Sequence, residues 1–274
     1  MCKRRLVSLL VFWIFSSPAS AELVPEKALY PTYIADPLRP TFNAQLQRYN
    51  KSTLGGIAGD SRNHLKMGGS LLLYGSEWSD LPWQLVLLSG FHGQFDNTQS
   101  QDNIGWDGIY GLHIAVQLDS NLALRFGSKH ISAHIGDEII ERTGRTRINY
   151  TREELRLGLA WQSDNDSLVY AEAGRAYDLR NKGLQQRDRL QLGIQYDSPN
   201  RLWGSTLNGY AAMDISAYEE NDWDENITVQ IGLRKKSGQH TWRTGFEFYD
   251  GRSQLGEYFQ EQEQYISLGL WLDI

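Results

Sequence analysis

The chain has 274 residues, a formal net charge of −6, 26 glycines, 14 tyrosines and only 41% hydrophobic residues. A net negative charge argues against a nucleic-acid partner. Beyond residue 21, no apolar run approaches the roughly twenty residues that a transmembrane helix needs. A closed β-barrel is therefore the only structure by which this chain could span a bilayer. Its composition suits a barrel with a polar interior and an apolar outer surface.

The first 21 residues have the three parts of a secretory signal peptide. Residues 3–5 are basic, residues 6–15 are apolar, and small residues precede a cleavage site after Ala21. We therefore expect export of a mature chain that begins at residue 22. The only cysteine, Cys2, is removed with the signal, so no disulfide is expected.

The mature chain divides into a leader and a long region of alternating segments. Residues 22–41 hold four of the seven prolines, have no sustained period and are interpreted as a periplasmic leader. Residues 42–274 repeat apolar alternation in segments of about ten residues, which is typical of transmembrane strands. We predict an all-β fold, a transmembrane antiparallel up-and-down β-barrel of about twelve strands. The expected strands lie near 42–49, 64–76, 81–95, 106–118, 121–134, 150–163, 167–178, 188–198, 203–215, 226–236, 240–250 and 264–274.

The connections between these segments alternate in length, as they do in outer-membrane barrels. Short links rich in Asp, Asn, Ser, Pro and Gly follow every second segment, and links of about nine to fifteen residues follow the others. If the leader starts in the periplasm, every long link is external. The last segment ends on Ser267, Gly269, Leu272 and Ile274, which resemble the C-terminal assembly signal of such barrels. We expect the outer membrane of a Gram-negative bacterium, and the barrel-assembly machinery as a partner.

The segment 122–138 carries polar residues that a lipid-facing strand does not need. Alternate residues of a strand share a face, so the apolar row that starts at Leu122 continues through His130 and Ser132. A histidine beside a serine can accept its proton and activate it as a nucleophile. Asn149 has the parity of the apolar row of the next strand and could orient the imidazole. The alternatives are that both are rim residues between lipid and water, or members of a structural hydrogen-bond network.

At these residues the chain resembles outer-membrane phospholipase A, a barrel with an outward-facing His-x-Ser completed by an asparagine on the following strand. The resemblance implies that His130 is the base, Ser132 the nucleophile and Asn149 the orienting residue. The lipid A deacylases carry a similar His-x-Ser on a smaller barrel, completed by a glutamate. The phospholipase resemblance also raises the expectation of a homodimer.

A broader resemblance begins in the leader. Tyr30-Pro31, residues 35–37 and residues 47–49, together with residues 130–138 and 149–153, resemble an exported bacterial family known only as a domain of unknown function. This similarity covers nearly the whole mature chain. It implies the barrel and no particular activity.

The link between the fifth and sixth strands contains clustered charges. Asp137, Glu138 and Glu141 could hold calcium through oxygen ligands, as lipid-hydrolysing barrels of this type do, or could form a solvated acidic loop. His134 could join a metal site only if a bulge shortened its distance from His130. Arg142, Arg145 and Arg147 could bind lipid phosphate or merely solvate the loop.

Two functions from different classes follow. The first is a serine-dependent lipid acyl hydrolase acting on outer-leaflet phospholipid or lipopolysaccharide, in the manner of phospholipase A or a lipid A deacylase. The second is a non-enzymatic envelope barrel or a narrow pore, because Arg125, Lys129, Arg156, Gln191 and Gln195 are expected to make the interior polar.

Overall fold

The computed structural model describes residues 21–57, 59–164, 167–202 and 206–274, so residues 1–20 of the predicted signal peptide lie outside the described residues. Thirteen strands, one short α-helix, α1 (Asp137–Thr143), and two short 3₁₀ helices (Glu219–Asn221 and Gly256–Tyr258) occur in this part of the chain. The strands are β1 (Glu22–Leu23), β2 (Phe42–Ser52), β3 (Ser61–Trp78), β4 (Leu81–Asp96), β5 (Asp102–Gln117), β6 (Leu122–Ile135), β7 (Thr151–Gln162), β8 (Ser167–Leu179), β9 (Asp188–Arg201), β10 (Asn208–Tyr218), β11 (Glu225–Ser237), β12 (His240–Arg252) and β13 (Gln262–Asp273).

Strands β2 to β13 form a closed antiparallel barrel. Each pairs with its neighbours in the chain, and β13 pairs with β2 to close the circle. The short strand β1 is not part of this circle and pairs with β3. The all-β fold and the predicted count of about twelve strands are therefore confirmed. Every barrel strand therefore has a neighbour on both sides, although β3 extends beyond its pairing with β2, from Met67 to Trp78.

The two faces of the wall differ as the alternation predicts. On β7, Leu155, Leu157 and Leu159 point outward and are exposed, while Arg152 and Arg156 point inward and are buried. The same alternation on the other strands produces an apolar outer belt and a polar lumen. Among the residues that the structure describes, no helix has the length and apolarity to cross a bilayer.

The two ends of the barrel are distinct, and we name them by their connections. At the turn end, β3 and β4 are joined by Ser79 and Asp80, which both have positive φ, as the tight hairpin turn matched to strand twist requires. At the loop end, α1 covers the rim and buries Ile139. A small core of Leu54, Ile104, Ile135, Ile139, Leu255 and Tyr258 holds the helix there. The leader and the C-terminus both lie at the turn end, because β2 begins and β13 finishes there.

The leader enters the lumen and packs against the inner wall. Tyr33 stacks on Tyr170 with ring centroids 3.5 Å apart. Farther along, the carbonyl of Pro37 accepts a hydrogen bond from Lys66, and Leu38 packs against a cluster that includes Ile131. The side chain of Arg39 then pairs with Asp273 of the last strand at 2.7 Å, as the chain returns toward β2. The leader is thus an internal plug.

Buried ion pairs fill much of the remaining lumen. Glu172 accepts from Arg125 and Arg189, and Arg62 pairs with Glu263. Buried charges are tolerated when they are paired and hydrogen-bonded in this way. Because the leader and these pairs occupy the interior, the structure does not favour the narrow-pore alternative.

Candidate active site

The outer row of β6 changes from apolar to polar as it approaches the loop end. Phe126 is half exposed to the surroundings of the barrel, and Ser128, His130 and Ser132 follow on the same face. The intervening residue Ile131 is buried in the lumen. The alternation of β6 thus continues through the polar residues, so the structure places His130 and Ser132 on one outward row.

His130 is held by a carboxylate from the neighbouring strand. It lies directly opposite Glu153 of β7 in the antiparallel register, and its Nδ1 is 2.5 Å from Glu153 Oε1. The other oxygen of Glu153 accepts a hydrogen bond of 3.2 Å from the Tyr177 hydroxyl. Glu153 pairs with Asp178 of β8 and Glu154 pairs with Ala176, so a bulge leaves Tyr177 between them as an extra residue. This bulge brings Tyr177 to Glu153.

This contact determines which nitrogen of the His130 ring carries the hydrogen. An ionised carboxylate only accepts hydrogen bonds, so Nδ1 of His130 carries the hydrogen and donates it to Glu153. Nε2 is then the nitrogen with a free lone pair, able to accept a proton. Ser-His-acid hydrolases use the same arrangement, a histidine whose Nδ1 is bonded to a carboxylate and whose Nε2 acts as the base.

Two stacked aromatic pairs border the serine. The ring of His130 stacks on Tyr110 with centroids 4.2 Å apart, and His134 stacks on Trp106 with centroids 4.0 Å apart. Between the two pairs, Gly108 of β5 lies opposite Ser132. A Cβ atom on Gly108 would meet its nearest neighbours only at 4.0 Å. The missing side chain therefore leaves an open notch in the outer wall beside Ser132.

Ser132 faces this notch without a fixed partner. Within the described part of the chain, its hydroxyl makes no hydrogen bond, either to His130 or to another residue. Catalytic hydrogen bonds are often long or poorly aligned before substrate binds and tighten only in the complex. The predicted base and nucleophile therefore share a face and a neighbourhood, while their direct contact remains a prediction.

Asn149 does not take the orienting position. It precedes β7, is exposed and has a positive φ of 57°, and its side chain makes no hydrogen bond to a described residue. The strand begins at Thr151, which pairs with Ser132, so the register brings Glu153 to His130. The contact with His130 is therefore made by Glu153, because the residue directly across an antiparallel pair is closer than one beyond the strand end.

The three candidate phosphate-binding arginines lie in different surroundings. Arg142 of α1 donates to the Gly56 carbonyl at 2.7 Å and pairs with Asp102. Arg145 pairs with Glu261 at 2.9 Å. These contacts hold the loop end together. Arg147 alone reaches the polar row, where it donates to His134 Nδ1 at 3.0 Å.

The acidic residues of this loop remain on the surface. Asp137, Glu138 and Glu141 are exposed on α1, whose first turn carries the two leading carboxylates. Over the described ranges, no three His, Cys, Asp or Glu side chains are placed to hold a metal ion.

Sequence reasoning missed Glu153, Tyr177 and Gly108. Glu153 could have been found, because it shares the odd parity of Leu155 and is polar on an outward-facing apolar row. The alternation of β5 also placed Gly108 on the outer face. Tyr177 carried no such signal, since its position depends on the bulge in β8.

Comparison with known proteins gives a family and a fold. A family model described as "Protein of unknown function (DUF1207)" matches residues 17–273. The structure is similar to outer membrane phospholipase A from Escherichia coli, with a TM-score of 0.59 and 12% identity over 88% of this chain and 97% of that one. It is also similar to a Salmonella typhi outer membrane phospholipase dimer with bound calcium, with a TM-score of 0.59 and 13% identity over 85% and 91% of the two chains. A search of the curated proteins finds no match.

The calcium expectation can be tested against the described part of this chain. Calcium takes six to eight oxygen ligands, commonly several carboxylates and carbonyls around one point. Here Asp137, Glu138 and Glu141 are exposed on one short helix, and no group of three candidate ligands converges. The calcium site expected from the sequence does not fit these residues, and no chemical step below depends on it.

Proposed function

The chain belongs to the DUF1207 family of unknown function, and we propose that it is an outer-membrane lipid acyl hydrolase with its active site on the lipid-facing wall. The observation that carries the proposal is the hydrogen bond from His130 Nδ1 to Glu153, on the same outward row as Ser132. A polar group facing lipid is costly unless it is paired, and such residues commonly mark functional sites. The similarity to the phospholipase supports the barrel and adds no evidence of activity.

The proposed reaction is acyl transfer followed by hydrolysis. Nε2 of His130 accepts the proton of Ser132 as Oγ attacks the ester carbonyl of a lipid in the notch at Gly108. The ester C–O bond then breaks, and the imidazolium gives its proton to the departing alcohol. Water, deprotonated by the same nitrogen, attacks the acyl-serine and releases the fatty acid. Glu153 keeps the ring in the required tautomer and stabilises its charged form.

The loop end is external in this proposal, which places the site at the outer leaflet. The stacked rings of Tyr110 and Trp106 then lie where aromatic side chains favour the boundary between lipid and water. Arg147, beside His134, is the candidate for the lipid phosphate, because Arg142 and Arg145 are engaged by protein groups. The outer-membrane location, the lipid substrate, the homodimer and the barrel-assembly partner are all part of the proposal.

The test compares two serines of the same strand face. The natural chain, Ser132→Ala and Ser128→Ala are folded in detergent micelles, and fatty-acid release from phospholipid and from lipopolysaccharide is measured with calcium and with a chelator. We expect Ser132→Ala to lower the rate by at least about 10³-fold and Ser128→Ala to leave it nearly unchanged. Release that is equal in all three chains would eliminate the hydrolase and leave the non-enzymatic envelope barrel.

A further inference from the structure

A second site lies inside the barrel, between the leader and the inner wall. A cavity of about 100 Å³ is bordered by the leader on one side and by strands β3 to β7 on the other. One ordered water needs only roughly 10–15 Å³ of such space, so the cavity has room for more than one water. Its charged and imidazole lining includes His113, Arg125, Lys129, Arg156 and Asp273 from the wall, and Asp36 and Arg39 from the leader.

Lys129 is a buried cation with no direct partner. Its residue is 5% exposed and lines the cavity. Its ammonium group makes no hydrogen bond and no ion pair within 4 Å to any residue that the structure describes. Burying an ammonium group without such partners is costly. The cavity beside it is the space in which a ligand could supply them.

Arg156 has unused donors at the same cavity, and His113 has an unpartnered ring nitrogen. Nε and Nη2 of Arg156 are buried without a hydrogen-bond partner, and so is Nδ1 of His113. The nearest carboxylate to Arg156 is Glu172, at 3.6 Å from Nη1. Two further arginines, Arg125 and Arg189, contact Glu172 more closely and take most of its hydrogen-bonding capacity.

The cavity therefore has an excess of positive charge. Of its two carboxylates, Asp273 is bound by Arg39 and by Arg243. Asp36 accepts from the Leu38 backbone N–H at 2.9 Å and is attracted by Lys129 without a direct ion pair. Elsewhere in the lumen, cations such as Arg62 have a carboxylate in direct contact. Buried polar groups are almost always satisfied by protein, water or a ligand, and an anion would satisfy several of these at once.

We propose that this cavity binds one small oxyanion of the phosphate or carboxylate type, held by Lys129, Arg156 and His113. A guanidinium and an ammonium group together match the geometry and charge of such an anion. The anion would lie between the wall and the leader and join the two. Because the cavity lies inside the barrel, between the leader and the inner wall, the source is a free anion of the aqueous phase rather than a lipid headgroup.

The experiment measures phosphate binding to the full folded barrel in a detergent with a sugar headgroup. Calorimetry and phosphorus NMR follow inorganic phosphate, with chloride as the reference anion. We expect one saturable phosphate per barrel, at least tenfold weaker binding in Lys129→Gln and in Arg156→Gln, and unchanged binding in Lys66→Gln. Lys66 is the matched control, since it is also a buried lumenal lysine but donates to the Pro37 carbonyl.

Two further measurements keep the result interpretable. Dihexanoyl phosphatidic acid is added as a competitor, and failure to displace phosphate supports a free anion, whereas displacement assigns the same site to a headgroup. The stability of each variant is measured without phosphate. Lys129→Gln removes a buried charge that has no direct ion pair and should leave the barrel at least as stable, whereas Arg156→Gln also loses its contact with Glu172. The proposal is overturned if the natural chain binds no phosphate or acetate saturably, or if all variants bind equally.

Discussion

The outer row around His130 and the lumen around Glu172 are both polar, but they are built differently. In the lumen, many charged groups share partners, and Glu172 alone serves Arg125, Arg156 and Arg189. On the outer wall, one short chain of contacts runs from Tyr110 through His130 and Glu153 to Tyr177 among outward-facing apolar residues.

The difference separates polar groups that the barrel architecture requires from polar groups that it does not require. The lumenal groups must be paired because the alternation of every strand sends polar residues inward. Nothing in the barrel architecture requires His130 to face outward, and an apolar residue there would cost less. The lumen is therefore expected to govern stability, and the outer row to govern activity.

The largest expected effect tests which residue orients His130. Glu153→Gln should lower the rate of lipid hydrolysis by about 10²–10⁴-fold, because the amide no longer enforces the tautomer that leaves Nε2 basic. Asn149→Ala should change the rate by less than about twofold, since its side chain has no described contact. Fatty-acid release and urea unfolding are measured on both. A severe loss in Asn149→Ala with normal activity in Glu153→Gln would restore the asparagine to the orienting role.

The next effect concerns the lumen. Glu172→Gln removes the carboxylate that Arg125 and Arg189 share and should destabilise the barrel by about 3–5 kcal/mol. The control, Asp188→Asn, removes an exposed partner of Arg175 and should cost less than about 1 kcal/mol. Urea unfolding in lipid vesicles gives both values. Comparable values for the two variants would show that the lumenal network does not govern stability.

A smaller effect is expected from filling the notch. Gly108→Leu should raise KM for lipid by roughly tenfold, because a leucine side chain would occupy the space beside Ser132, and the open backbone surroundings tolerate a Cβ there. Ala171→Leu on the outer face of β8 is the control. Kinetics in mixed micelles separate KM from kcat, and an unchanged KM in Gly108→Leu would argue that the substrate binds elsewhere.

The smallest effect concerns the leader and depends on pH. Burial raises the pKa of Asp36, but the charge of Lys129 and the Leu38 backbone N–H outweigh it and lower the pKa below its usual value. A carboxyl group whose pKa is lowered on folding stabilises the docked leader. This contribution is fully present above the unfolded pKa of about 3.9 and is lost as the pH falls below that value.

Hydrogen exchange of the leader, corrected for intrinsic rates, should therefore accelerate by about two- to threefold between pH 5 and pH 3. Asp36→Asn should remove this pH dependence. An acceleration of equal size in the variant would assign the effect to another group.

Sequence reasoning recovered the barrel because strand parity and turn chemistry are local signals. The alternation at Leu155, Leu157 and Leu159 predicted the correct faces, and the same alternation placed His130 and Ser132 outward. The pairing of Glu153 with His130 was missed, since register across β6 and β7 depends on how the intervening residues 136–150 fold. The leader gave no signal of its internal position, because its proline-rich sequence has no period.

The internal leader also has a consequence for the order of assembly. Arg39 binds Asp273, a residue 234 positions later, and Leu38 packs with Ile131, Tyr150 and Phe259. None of these contacts can form until the distant strands have been inserted, and contacts between residues so far apart in sequence form slowly. The leader is synthesised before every strand of the barrel, yet it must be among the last segments to reach its final position.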